Sequence, residues 1–333
     1  MNDKDIERVL KAAGPREQPD AGFERAMRER LRDEWRAVVA NESRRRQRRV
    51  AFALAASVLA AAIGTWMVAP PFGGSTETAA TLALASGEVR ARQGRFARWR
   101  ATATGQALMT GTTLETGPAG RSALSLRDGI SVRLDHDTRL ALTAPDEITL
   151  ERGALYVDAG RGDAAAEDLV VVTSAGAVRH VGTQYEARLV GSKLRLRVRE
   201  GRVEWQSKSG RREHGVTGEQ LTIADDGEVQ RAAATPYGES WDWVAGTSPG
   251  IAIEGLQLRD FLSWAARELG CEVAYVTPEI ASEAAGVVLH GSIAGLTPRQ
   301  ALDAVLATTR VRAIVLDGRI LVSSQEARAP PAG

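Results

Sequence analysis

The chain has few of the side chains that build disulfides or metal sites. It carries one cysteine, Cys271, among 333 residues, which excludes an internal disulfide and a cysteine-rich zinc site. Its four histidines, His136, His180, His214 and His290, lie far apart, and none has the spacing of a zinc-binding pair. The sequence therefore predicts no metal and no cofactor.

Signatures of common enzyme sites are scarce as well. There is no phosphate-binding P-loop, and the lone cysteine has no partner histidine nearby in sequence. Asp135 and Asp137 would share one face of a strand, but carboxylates at a strand end are commonly just solvated. We predict that the protein is not an enzyme.

One long uncharged run stands out near the N-terminus. Residues 50–68, VAFALAASVLAAAIGTWMV, come close to the roughly 20 apolar residues that cross a bilayer. A cleavable signal peptide and a buried soluble helix are the alternatives, but 49 residues precede the run and it has no polar face. We predict one transmembrane helix at 50–69.

A basic run directly before this segment sets the predicted topology. No Lys or Arg follows the segment until Arg90, so the positive-inside bias places the N-terminus in the cytoplasm. The expected localisation is the bacterial inner membrane, crossed once, with the C-terminal domains in the periplasm. The run is interpreted as a topology determinant and not as a direct nucleic-acid site; it consists of Arg44, Arg45, Arg46, Arg48 and Arg49.

Residues 1–49 predict a short helical segment on the cytoplasmic side. Its second helix carries an apolar stripe at intervals of four: Phe23, Met27, Leu31 and Trp35. The stripe could pack on the first helix as a small hairpin, or it could bind a cytoplasmic partner. Both readings stay open, and the four residues are the candidate partner-binding site.

Residues 80–230 predict a mainly β domain. Short apolar alternations are separated by Gly and Asp-Gly turns, and no convincing long helix interrupts them. In one predicted strand Leu194, Leu196 and Val198 alternate with three arginines, which predicts a buried apolar face and a solvated arginine face. An antiparallel sandwich and a wound β-structure are both compatible with the pattern.

Ordered motifs across 82–205 resemble the FecR protein family. They include GTTLETGPAGRSALSL at 111–126, LERGALYVDAG at 150–160, VTSAGAVRHVGTQYEA at 172–187 and VREGRVEW at 198–205. Within the third, Gly182 predicts a bend, and the polar residues after it are interpreted as the wet face of a strand. The residues that we single out as structural motif positions are Gly111, Asp128, Gly129, Gly153, Gly182, Thr183 and Gly201.

After a predicted linker at 231–250, residues 251–325 predict a small α+β module. Strands are expected at 251–257, at 271–276 and at 287–295, helices at 258–269 and 296–309, and a hairpin about Asp317 and Gly318. The sequence of residues 291–324 resembles the short domain of secretins and TonB-dependent receptors. Residues 326–333 are expected to be a disordered tail.

The FecR resemblance implies a regulator of an extracytoplasmic-function sigma factor, held on the cytoplasmic side, with an outer-membrane receptor or other envelope protein as a possible outer partner. The fold class expected is a membrane-anchored multidomain protein with a helical N-terminal segment, one transmembrane helix, a mainly β periplasmic domain and a small α+β C-terminal domain. The alternative function is a membrane-anchored periplasmic binding or scaffold module for a glycan or envelope protein.

Overall fold

The structure, a computed structural model, describes residues 77–160 and 169–324. These residues form a large β domain followed by a small α+β module. The strands of the β domain are β1 Thr78–Ser86, β2 Val89–Gln93, β3 Arg100–Ala101, β4 Ala107–Met109, β5 Thr112–Thr116, β6 Arg121–Leu126, β7 Ser131–Leu134, β8 Arg139–Ala144, β9 Glu147–Arg152, β10 Ala154–Asp158, β11 Val170–Thr173, β12 Gly176–Val190, β13 Lys193–Gln206, β14 Arg212–Val216, β15 Glu219–Ile223 and β16 Val229–Ala233.

Within the described residues these strands make one continuous wound sheet. Its main path runs β3-β2-β5-β8-β9-β11-β12-β10-β7-β6-β1-β4, and β13 to β16 branch from β12. Neighbouring strands are antiparallel except β9 and β11, which run parallel. The wound alternative of the sequence analysis therefore describes the sheet better than two separate antiparallel sheets do.

The long strands β12 and β13 hold the two parts of this sheet together. On one edge, β12 pairs first with β11 through Gly176–Arg179 and then with β10 through Gln184–Arg188. The change of partner occurs at a register shift between Val181 and Gln184, where Gly182 has a φ of 55°. A Cβ on Gly182 would meet nothing within 4 Å, so this glycine provides a bend and not a close approach.

Gly153 is required for a different reason. It lies between β9 and β10 with a φ of 83°, a region that L-residues with side chains rarely adopt. A Cβ there would lie 2.4 Å from Thr138 Oγ1 and 2.5 Å from Thr138 Cα. Only glycine fits this crossing, where the Thr138 hydroxyl also donates to the Ala154 carbonyl oxygen at 3.1 Å.

The C-terminal module contains four helices and a three-stranded sheet in the order β17-β19-β18. The first helix, α1, precedes the module proper, and a 3-10 turn over Glu239–Trp241 leads into it. The elements are α1 Asp242–Ala245, α2 Leu258–Leu269, β17 Glu272–Tyr275, α3 Pro278–Gly286, α4 Pro298–Leu306, β18 Val311–Leu316 and β19 Arg319–Ser324.

Sequence reasoning found two of the three helices after residue 250 and the final hairpin. Thr297 caps α4, and its hydroxyl accepts the N–H of Gln300 while the Gln300 side chain returns to the Thr297 N–H. The predicted strands at 251–257 and 287–295 are wrong, since the two segments share one isolated bridge, Gln257 to Val288. Helix α3 was not predicted.

The described residues do not bear out the membrane part of the predicted fold class. Among residues 77–160 and 169–324, no helix is both long enough and apolar enough to span a bilayer. The longest, α2, has 12 residues and is amphipathic. It rises about 18 Å at about 1.5 Å per residue, against about 30 Å of hydrocarbon.

The N-terminal predictions concern a different part of the chain. The helical segment at 1–49 with its stripe of Phe23, Met27, Leu31 and Trp35, the basic run at 44–49 and the span at 50–69 all lie outside the described residues. So does the tail at 326–333. The localisation derived from the basic run stays a prediction.

Candidate functional site

The polar faces of β12 and β13 are buried, which contradicts the expectation of a wet face. Gln184 is 2% exposed and Glu186 0% on β12, while Arg199 is 3% exposed on β13. The apolar face behaves as predicted, with Leu194, Leu196 and Val198 buried in the main core. Both faces of these strands are therefore buried, and the polar face is buried by the C-terminal part of the chain.

Trp241 is at the centre of the C-terminal residues that bury the polar face. Its indole is 2% exposed and lies edge-on to Tyr156, with the ring centroids 6.0 Å apart. The guanidinium carbons of Arg197 and Arg199 lie 4.3 and 5.0 Å from its ring centroid. The indole Nε1–H donates to the Thr235 carbonyl oxygen at 2.8 Å. The ring is thus held by two cations, an aromatic neighbour and a hydrogen bond.

A buried ion pair connects the β domain with helix α2. Arg133 on β7 donates from both terminal nitrogens to the Glu268 carboxylate, at 2.7 and 2.8 Å, and one of these nitrogens also donates to the Val244 carbonyl oxygen at 2.9 Å. The two side chains are 2% and 8% exposed. Such a bidentate pair is strongly oriented, and removal of either charge would leave the other buried.

A second ion pair lies beside the first. Arg267 of α2 donates to Asp158 of β10 and, at 2.7 Å, to Glu200 of β13. Asp158 also accepts the Gln184 amide at 2.9 Å. Burial alone would raise the pKa of Asp158, but the charge and hydrogen bonds of Arg267 outweigh it and hold that pKa below its usual value. The carboxylate is therefore ionised at neutral pH.

We call this whole region the junction: Arg133, Tyr156, Asp158, Gln184, Glu186, Arg197 and Arg199 of the sheet, with Trp241, Val244, Arg267 and Glu268 of the C-terminal part. At its edge is a cavity of about 520 Å³ that Arg199, Trp241, Cys271 and Arg299 help to line. Most charged groups of the junction are paired with one another, and Arg199 donates to the Pro236 carbonyl oxygen, so the arrangement suits rigid coupling of two modules better than bond-making chemistry.

The structural motif residues predicted from sequence are not members of the junction, although Gly182, Thr183 and Gly201 lie on β12 and β13 within two residues of it. Gly111, Gly129, Gly153, Gly182 and Gly201 all have positive φ values, from 55° to 86°. Asp128 lies in the 3-10 turn Arg127–Gly129 between β6 and β7. The structure thus places these glycines as backbone positions, while the junction side chains were not singled out from the sequence.

Thr183 and its neighbours form an unusual buried polar group. Among the described residues, the Thr183 and Tyr185 hydroxyls and both His180 ring nitrogens have no hydrogen-bond partner. The His180 ring is 1% exposed and lies 6.1 Å from the Tyr185 ring. Burial lowers the pKa of His180 to about 4, because the charged imidazolium would have no solvent and no partner.

His180 is therefore expected to make the β domain sensitive to mild acid. Its folded pKa of about 4 lies below the unfolded value of about 6.5, so the unfolded chain binds more protons between these pH values. The free energy of unfolding should fall by up to about 3 kcal/mol as the pH drops from 6.5 to 4. Urea denaturation of the full chain at several pH values measures this fall.

His180→Leu should flatten that pH dependence, because leucine fills the site without titrating. His214→Leu is the matched control, since the His214 side chain is 53% exposed and should leave the dependence unchanged. Equal pH dependence in the original chain and in His180→Leu would show that another group is responsible.

Catalytic arrangements are not apparent in the described part of the chain. Residues 77–160 and 169–324 contain no group of three or more His, Cys, Asp or Glu side chains that could hold a metal ion. Residues 246–250 read Gly-Thr-Ser-Pro-Gly, the spacing of a hydrolase nucleophile turn, which the sequence analysis did not single out. Ser248 Oγ there accepts the Gly250 N–H at 3.3 Å, and no described histidine contacts it.

Comparison with known proteins bears on the β domain. A family model described as FecR protein matches residues 112–204, which run from β5 to β13. The predicted resemblance is thereby confirmed for this segment, and the chain carries a FecR domain there. No curated protein matches the chain. The resemblance of 291–324 to the secretin and receptor short domain stays a prediction.

Two crystal structures of a candidate anti-sigma factor from Parabacteroides distasonis ATCC 8503 are similar to this chain. Each has 17% sequence identity and a TM-score of 0.34, and each alignment covers 64% of this chain and 98% of the other. At this identity and TM-score the similarity carries no argument about function.

Proposed function

We propose that this chain, which carries a FecR domain at residues 112–204, regulates an extracytoplasmic-function sigma factor. The family match on the β domain is the observation that carries the proposal. The predicted apolar stripe of Phe23, Met27, Leu31 and Trp35 is the surface that we assign to the sigma factor.

The junction supports a relay role for the rest of the chain. A protein that only tethers a ligand-binding domain would need no fixed geometry between its β domain and its C-terminal module. Here Arg133 and Glu268, 135 residues apart in sequence, are paired in a buried position, and Trp241 packs against two arginines. We therefore infer that the two modules act as one body, so that a ligand on either can alter the other.

A transcription reporter for promoters of the partner sigma factor tests the proposal. Strains carrying the full chain, no chain, or the full chain with Leu31→Glu and Trp35→Glu are compared. The double variant should give the reporter level of the strain without the chain, because charged residues abolish an apolar interface. Arg32→Ala, off the stripe, is the control and should match the full chain.

The proposal would be wrong if the reporter had the same level with and without the chain. The stripe assignment alone would be wrong if the chain mattered but the double variant behaved like the unaltered protein. Immunoblots of each strain establish that the variants accumulate to equal amounts.

A further inference from the structure

The hairpin formed by β2 and β3 carries a dense positive charge. Residues 90–100, RARQGRFARWR, contain five arginines and no acidic residue. At the tip of this hairpin Phe96 is 94% exposed. The charge is local, since residues 70–333 as a whole hold 29 Lys and Arg against 32 Asp and Glu. A local excess of this kind attracts anions.

Among the described residues, Arg90 is the one hairpin arginine that is paired with carboxylates, with Glu88 at 3.4 Å and with Glu115. Glu115 is shared among Arg90, Arg139 and Arg152, at 3.3, 2.6 and 2.9 Å. Across the described residues, Arg98 makes no ion pair and no side-chain hydrogen bond, and the same holds for the side chain of Arg100.

Arg92 is positioned by an aromatic ring and has no carboxylate partner. Its guanidinium carbon lies 4.7 Å from the Trp99 ring centroid, and its Nη1 donates to the Arg95 carbonyl oxygen at 3.2 Å. Its Nε is buried with no hydrogen-bond partner among the described residues. The stacking fixes the plane of the Arg92 guanidinium group. Some of its N–H donors remain without a hydrogen-bond partner, which favours an acceptor from a bound ligand.

These arginines line a groove and not a flat surface. The groove has a volume of about 610 Å³, within the range of small-molecule sites, and lies between the hairpin and β4. Arg92, Arg98 and Arg100 contribute its positive charge, exposed Ala97 and Ala107 with half-buried Met109 contribute apolar surface, and no carboxylate lines it. The groove thus offers positive charge for an anionic group and apolar surface beside it.

We propose that this groove binds a small organic anion in which an apolar body carries a phosphate or carboxylate group. Guanidinium groups recognise either oxyanion through paired hydrogen bonds, and Met109 with Ala97 and Ala107 receives the apolar part. The site lies on the β domain and its ligand would be a signal for this domain. It is independent of the sigma-factor surface assigned above.

Isothermal titration of the full chain with 1-naphthyl phosphate tests the site. We expect saturable binding that weakens with added salt, at least about tenfold weaker binding in the variant with Arg98→Gln and Arg100→Gln, and much weaker binding of inorganic phosphate alone. The matched control is Arg179→Gln with Arg202→Gln, which removes the same charge from exposed positions on β12 and β13 and should leave the affinity unchanged.

Four outcomes would overturn the proposal. They are no saturable binding, equal affinity in the groove variant, equal loss in the control variant, and inorganic phosphate binding as tightly as the aromatic phosphate. A short thymidine oligonucleotide is titrated in parallel. If it bound through Arg98 and Arg100 while the aromatic phosphate did not bind, the groove would be a nucleic-acid surface instead. Unchanged thermal midpoints show that each variant is folded.

Discussion

Replacing Glu268 with Gln is expected to lower the free energy of unfolding of the chain by about 3–5 kcal/mol. The substitution keeps the shape of the side chain but leaves the Arg133 guanidinium without a countercharge, in a position where its side chain is 2% exposed. The Arg133 Nε already has no hydrogen-bond partner among the described residues, and the Val244 carbonyl oxygen that Arg133 also contacts carries no full negative charge. Urea denaturation of the full chain, followed by circular dichroism, measures the loss.

Two variants control this experiment. Removing both charges, with Arg133→Met and Glu268→Leu together, should recover most of the lost stability because neither member of the pair is then left buried without its partner. Glu213→Gln removes a carboxylate that pairs with Arg211 and Arg231, whose side chains are 52% and 44% exposed, and should leave the midpoint nearly unchanged. If Glu268→Gln unfolded at the same urea concentration as the original chain, the junction would not be a stabilising contact.

Replacing Trp241 with Ala should cost about 3–5 kcal/mol and loosen the junction. The change removes the largest buried side chain of the C-terminal part, together with its contacts to Arg197, Arg199 and Tyr156. It also leaves a cavity between sheet and helix. Denaturation measures the stability, and limited proteolysis should show new cleavage between residues 231 and 250.

Trp241→Phe separates the ring from its hydrogen bond. Phenylalanine keeps an aromatic face for the two arginines but cannot donate to the Thr235 carbonyl oxygen, so a smaller loss of about 1–2 kcal/mol is expected. If Trp241→Ala had the same protease cleavage pattern and the same stability as the original chain, the junction would not hold the two modules together.

The strand pattern shows how far the sequence could predict the fold. Alternation on β13 correctly placed Leu194, Leu196 and Val198 in the core. The same alternation wrongly predicted that Arg197 and Arg199 are solvated, since they are 9% and 3% exposed. Alternation shows that the two faces of a strand differ in polarity, but it does not show whether the polar face is covered by another part of the chain. The polar face is covered by Trp241, which lies in the stretch 231–250 that was predicted to be a linker.

The junction was beyond the reach of sequence reasoning for a related reason. Arg133 and Glu268 lie on a strand and a helix that are 135 residues apart, and nothing local connects them. Each by itself resembles an ordinary surface charge of its element. Such a pair becomes visible only when the tertiary fold brings the two elements together.

In the C-terminal module, local backbone conformation overrode the apolar pattern. The segment 251–257 alternates like a strand, but Gly255 has a φ of 77° and interrupts it, which leaves one bridge to Val288. Helix α3, PEIASEAAG, has few large apolar residues and buries Ile280 and Ala284. Periodicity is a weak guide for so short an alanine-rich helix.

Direct binding of the full chain to its sigma factor tests the central claim. The chain and an extracytoplasmic-function sigma factor of the same organism are coexpressed, and the chain is purified through an affinity tag. We predict that the sigma factor copurifies in a stoichiometric complex, and that Leu31→Glu with Trp35→Glu removes it while Arg32→Ala does not. Recovery of the chain without any sigma factor, from cells that contain both proteins in soluble form, would contradict the account.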